Sequence, residues 1–147
     1  MKKLFFLAIC CTLAFSAFAQ NAAEIEALLS RDAVTYEEAA WFVLRVAEIP
    51  GLSSPAGAFS YAGERKWLPA NAAPGDRARL DGVSLLIMQA FDLDGGFLYS
   101  FMKTPHYAYR EHVHKNIIQG RTDPAMAVSG DFLLFMTGRV LSLTENE

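Results

Sequence analysis

The chain of 147 residues has only two cysteines, Cys10 and Cys11, and both fall within its first twenty residues. That beginning reads as a cleavable secretory signal. Lys2 and Lys3 form a short positive start, Leu4 to Phe18 is apolar apart from Thr12 and Ser16, and Ala17-Phe18-Ala19 gives the small-x-small pattern of a cleavage site. Cleavage after Ala19 is expected, which makes residues 1–19 a signal peptide and 20–147 a single domain. The working chain then has no disulfide, no thiolate nucleophile and no cysteine-based zinc site, although it enters a compartment where disulfides form. The expected location is exported, periplasmic or extracellular, in association with the envelope.

Positive charge is also scarce. The signal carries two lysines and no acid, so the remainder has 13 − 2 = 11 Lys and Arg against 16 Asp and Glu, a formal charge of −5. With no run of basic residues, this balance argues against nucleic acid and against an anionic membrane as partners. Beyond the signal no apolar stretch reaches transmembrane length, so an integral membrane protein is not expected after cleavage. A domain of 147 − 19 = 128 residues buries roughly two-thirds of its unfolded surface, enough for stability from packing alone.

What is present is helical. Tyr36–Ile49, Val83–Leu93 and Phe132–Leu143 are strongly apolar. Each follows a residue able to cap a helix N-terminus: Thr35, Asp81 and Ser129. Thr35-Tyr36-Glu37-Glu38 has the form of a capping box, and Pro50-Gly51 is expected to stop the first helix. The second and third runs are apolar nearly all round, as in central helices; their Leu, Met and Ala content favours helix over buried strand. Shorter helices are expected at Asn21–Leu29, Ala58–Trp67 and Gly96–Met102, with another from Thr104-Pro105 to about Asn116. The fold class is therefore all-α, a small helical bundle.

The segments repeat at intervals of 46 and 48 residues. Val34 aligns with Leu80 and Leu80 with Val128, while Trp67-Leu68 falls near Ile117-Ile118. About three helix–loop–helix units result, near residues 20–50, 57–95 and 104–143, a pattern of stacked modules that bury their cores together.

The third unit has Ile117-Ile118-Gln119-Gly120, then Arg121-Thr122-Asp123-Pro124, then Val128-Ser129-Gly130 before an apolar helix. It resembles the S-layer-homology module, in which a Gly-Ile-Ile-x-Gly turn and an extended loop lead to a Thr-Arg-Ala-Glu helix start. In the first unit Val34-Thr35-Tyr36-Glu37-Glu38 is similar to that start. The resemblance implies a bundle of such modules and a role in holding bacterial surface proteins on cell-wall polysaccharide. The family's anion-binding arginine falls, in this alignment, at Tyr36, Gly82 and Gly130. All three arginines are missing, so the resemblance implies the fold without that contact. The stretch Tyr107–Asp123 is also similar to helical modules at the front of spirochaete envelope proteins.

Catalytic patterns are wanting. No Gly-x-Ser-x-Gly or Gly-rich phosphate loop occurs, and no enzyme activity or cofactor is expected. His112 and His114 are two apart, on opposite sides of a helix, and read as surface residues rather than a metal pair. Asp92-Leu93-Asp94-Gly95-Gly96 opens like a calcium loop but lacks its later carboxylates; helix C-capping by Gly95 or Gly96 explains it better. The side chains suited to contact a partner are Trp67, Tyr107, Tyr109 and Arg121, since aromatic and Arg side chains supply most interface energy and stack on sugars. Trp67 is equally suited to plugging the core between units. The leading expectation is a non-catalytic envelope module that binds another envelope protein or a glycan. The alternatives are small-ligand or metal binding beneath the loop Pro69–Arg79, and a structural oligomer.

Overall fold

The computed structural model describes residues 21–145; the expected signal peptide lies outside the described residues. The described chain is all-α. A helical segment at residues 21–29 (α1) is followed by α2 (Tyr36–Val46), α3 (Pro55–Glu64), α4 (Leu80–Ala90), α5 (Phe97–Phe101), α6 (Pro105–His114) and α7 (Gly130–Thr144). Among the described residues the only extended pairings are single antiparallel bridges, Thr35 with Arg77 and Arg79 with Ala127.

These bridges belong to a closed ring. The Val34 N–H donates to the Val128 carbonyl (2.8 Å), the Val128 N–H to that of Ala78 (2.9 Å), and the Ala78 N–H to that of Val34 (2.8 Å). All three residues are fully buried. Two residues further on, each chain enters a helix. The first N–H of a helix has no partner within it; here Tyr36 donates to Asp76 O, Leu80 to Met126 O and Gly130 to Arg31 O, at 2.9–3.0 Å. The ring thus ties the starts of α2, α4 and α7 together at the centre of the molecule.

The equivalent positions are 34, 78 and 128, spaced 44 and 50 residues apart, not 46 and 48. The shift arises because Asp81 is not an N-cap. Arg79 holds that position, and the Asp81 carboxylate instead accepts the Gly82 N–H at 2.8 Å. The second counterpart of Tyr36 is therefore Leu80, wholly buried, rather than Gly82. The caps at Thr35, with its complete capping box, and at Thr104, followed by Pro105, are as the sequence predicts.

Four helices end in the same way. Glu48, Lys66, Asp92 and Asn116 have φ between 48° and 60°, each just past the end of α2, α3, α4 or α6. The next residue, Ile49, Trp67, Leu93 or Ile117, returns its N–H to the carbonyl five residues back. This is the Schellman arrangement, in which an apolar residue after the left-handed one folds back on the helix. It terminates α2 at Val46 rather than at Pro50-Gly51. Asp92, not Gly95 or Gly96, closes α4.

The core is centred on α4, where nine of eleven residues are buried, including Val83, Leu86, Ile87 and Met88. Each such side chain contributes about 1.5–3 kcal/mol relative to exposure. The buried Ser84 and Thr137 hydroxyls donate to the carbonyls of Leu80 (2.7 Å) and Leu133 (2.9 Å), which removes most of the cost of burying them. The third apolar run is not a wrapped helix. α7 buries Leu133, Met136 and Val140 on one face, while Phe135, Leu141 and Leu143 are exposed and Leu134 is half-buried. No helix among the described residues is long and apolar enough to cross a membrane.

Candidate binding clefts

Two clefts flank α2. The first lies where the ring brings the start of α2, the loop 69–79 and the start of α4 together. It has a volume of about 580 Å³ and is lined by Tyr36, Pro69, Asn71, Asp76, Arg77, Arg79 and Asp81, with Pro105 at its edge. The loop is shaped by its own hydrogen bonds: Ala72 N–H to Pro69 O (3.0 Å) and Ala73 N–H to the Asp76 carboxylate (2.9 Å). Backbone N–H groups of Tyr36 and Glu37 then bind Asp76 O and Pro74 O, fastening the loop over α2.

Within this cleft Tyr36 is buried, and its hydroxyl accepts the Arg79 N–H at 3.3 Å. Burial raises the phenol pKa above 10, so the group stays neutral and keeps a proton to donate. Arg79 grips Asp81 with two bonds, Nε to Oδ1 at 3.2 Å and a terminal nitrogen to Oδ2 at 2.8 Å. Arg77, exposed, makes no ion pair among the described residues. The cleft thus presents one free guanidinium, a neutral phenol, the Asn71 amide and carboxylate oxygens: a mixed donor and acceptor lining rather than a cationic one.

The second cleft, about 420 Å³, lies between α1 and α2. Its lining is mostly apolar, with Ile25, Leu28, Trp41, Phe42 and Val46. Arg31 pairs with Glu38 at 2.9 Å, and Arg45 with Glu24 and Asn21, while also lying 4.8 Å above the Trp41 ring. These contacts strap α1 across the groove, though exposed pairs of this kind are each worth little.

The four residues singled out in the sequence line neither cleft. Trp67 is half-buried, follows the left-handed Lys66, packs on the main core and meets Tyr61 edge-on at 5.7 Å. Tyr109 packs on the same core and its hydroxyl donates to the Thr122 carbonyl at 2.8 Å, next to exposed Arg121. Tyr107 belongs elsewhere, against a smaller cluster of Leu85, Met88, Tyr99 and Ala108. Tyr109 and Arg121 therefore share a turn; Trp67 and Tyr107 sit on separate clusters.

His112 is the least expected residue. It is fully buried, not on the surface, and neither ring nitrogen has a hydrogen-bond partner. Burial, aided by Lys115, lowers its pKa to about 3. It is separated from His114, which is exposed. Among the described residues no three His, Cys, Asp or Glu side chains cluster as metal ligands do.

Comparison with known families, with curated proteins and with solved structures gives no match.

Proposed function

We propose that this chain is an exported, non-catalytic envelope module built of three S-layer-homology-like units, and that it binds a glycan in the cleft between the first two. The observation that carries the reading is the hydrogen-bonded ring of Val34, Ala78 and Val128. Three equivalent chain crossings at one point are what three circularly packed units require, and the cleft of Tyr36, Arg77 and Arg79 opens directly beside two of them. In that reading Tyr36 stands where the related modules carry an arginine, and the remaining two counterparts, Leu80 and Gly130, are buried. The lining suits sugar hydroxyls, which both donate and accept, better than a polyanion that needs several charge-assisted bonds.

An envelope protein is the alternative partner, engaged through the turn of Tyr109 and Arg121. A small apolar ligand is a third reading, favoured by the α1–α2 groove with its Trp41 and Phe42 floor. Titration calorimetry of the chain from Gln20 onward with soluble cell-wall glycan fragments separates them. Glycan binding weakened by Arg77→Ala by more than about 1 kcal/mol, but unaffected by Arg121→Ala, is the expected result. Absence of glycan binding, or equal binding by Arg77→Ala, would remove the cleft from the account.

A further inference from the structure

A guanidinium binds a carboxylate or phosphate best through two parallel N–H groups on one edge. In Arg79 such an edge is already taken. Nε and one terminal nitrogen meet the two oxygens of Asp81 at 3.2 and 2.8 Å, and these bonds hold the guanidinium pKa above its ordinary value. The Asp81 carboxylate is itself fixed: Oδ1 also accepts the Gly82 N–H at 2.8 Å, and the side chain is only 16% exposed. The Arg79 side chain is 53% exposed, so solvent reaches the cation while its binding edge is withheld. The bond from Gly82 would satisfy that orphan N–H of the first turn of α4 without any arginine.

The charged side chains lining this cleft cancel. Arg77 and Arg79 stand against Asp76 and Asp81, a formal charge of 2 − 2 = 0. Asp123, outside the lining, also acts on Arg79, but its carboxylate accepts the Ala125 N–H at 2.8 Å and makes no bond to the guanidinium. An anion entering the cleft therefore meets one available cation, Arg77, and two carboxylates. What remains to read a ligand is neutral. Tyr36 is 3% exposed, its oxygen accepts the Arg79 N–H, and its proton has no acceptor among the described residues. A buried donor without a partner costs free energy that an oxygen of a bound ligand recovers.

We propose that Asp81 is a positioning residue that sets the specificity of the cleft: by occupying the binding edge of Arg79 it excludes acidic glycans and leaves an uncharged glycan as the ligand. The inference rests on the cleft being the glycan site. Asp81 acts through Arg79 and needs no contact with the sugar. Discrimination of this kind comes from a built-in repulsive element as much as from attraction. Removing the charge of Asp81 frees the edge of Arg79 and takes the lining to 2 − 1 = +1, with two guanidinium groups then open to an anion.

Titration calorimetry of the chain from Gln20 onward tests it with two soluble probes of equal length, an uncharged N-acetylglucosamine tetramer and an acidic galacturonic acid tetramer. The parent should bind the neutral tetramer, and the acidic one at least about tenfold more weakly. Asp81→Asn, which keeps an oxygen for the Gly82 N–H, should gain at least about tenfold for the acidic tetramer, and the gain should shrink as salt is raised. Asp81→Asn/Arg79→Gln should lose that gain, because the freed guanidinium is what binds. Asp81→Ser, whose hydroxyl also serves the Gly82 N–H, repeats the test if circular dichroism shows the Asn variant poorly folded. A purely structural role for Asp81 would lower affinity for both tetramers; only the proposed role shifts the preference toward the acidic one. A parent that binds the neutral tetramer while neither Asp81 variant gains for the acidic one overturns the inference and leaves the glycan reading in place. So does a gain that persists without Arg79, or a parent that prefers the acidic tetramer. No binding of either tetramer by any of these proteins removes the cleft as a glycan site, and the inference falls with it.

Discussion

A Cβ atom at position 82 would lie 2.5 Å from the Tyr36 hydroxyl oxygen and 2.9 Å from both the Tyr36 ring and Pro69. Gly82 is therefore the space through which the Tyr36 ring crosses the start of α4, and the first cleft depends on it. Gly82→Ala should destabilise the protein by about 1–3 kcal/mol, the usual cost of overpacking a fixed site, despite the better helix propensity of Ala. Urea unfolding checks this. A variant as stable as the parent would mean that Tyr36 does not occupy that space.

The two apolar helices should respond differently to truncation. Leu86 on α4 is fully buried, whereas Leu134 on α7 is half-exposed. Leu86→Ala is expected to cost about 2–5 kcal/mol, and Leu134→Ala less than half as much. Equal losses by denaturant titration would place a covering surface over α7.

Buried, unpartnered His112 predicts a pH dependence with a definite sign. Its pKa is lowered from 6.5 to about 3, so the unfolded chain takes up a proton that the folded chain refuses. The contribution to stability is complete above pH 6.5 and is lost as pH falls from there toward 3, by roughly 1.4 kcal/mol per unit. Unfolding midpoints at pH 7 and 4.5 should show the parent losing about 2–3 kcal/mol more than His112→Leu across that interval. Parallel curves for the two proteins would contradict the burial of an unbonded imidazole.

The left-handed helix ends give a graded prediction. Glu48 and Lys66 adopt φ of 56° and 60° with ordinary side chains, whereas Asn116 is a residue that tolerates this region. Substitution by Gly relieves strain but adds freedom to the unfolded chain. Glu48→Gly and Lys66→Gly should each stabilise by up to about 1 kcal/mol, and Asn116→Gly by clearly less. Thermal melts of the three variants rank the effect.

Those helix ends also show what could be read from residue order. Thr35 with Glu38, and Thr104 with Pro105, announce their helices through local chemistry, and the alignment of Trp67 with Ile117 holds because both occupy the position after a left-handed residue. Asp81 misled because an acid in a helix's first turn resembles a cap, and the spacing of the repeat shifted by two residues with it. The exposure of Phe135 and Leu143 was not legible either: an apolar run reveals its attraction to a core but not whether a second layer covers it. His112 looked like a surface residue from its partner at i+2, yet it occupies the position matching buried Ala62, fifty residues earlier. The cleft residues Arg77 and Arg79 lie in a loop held by hydrogen bonds to residues 37 to 50 positions away, and no local pattern encodes such contacts.

The claim that the ring-side cleft is the binding site is tested most directly by amide chemical-shift mapping of the isotopically labelled protein during titration with soluble cell-wall glycan fragments. The account predicts saturable shifts concentrated at Tyr36, Asn71, Asp76, Arg77 and Arg79, with the amides around Arg121 and along α1 unmoved. Shifts confined to the Tyr109–Arg121 turn or to the α1–α2 groove, or a spectrum unchanged at saturating glycan, would contradict it.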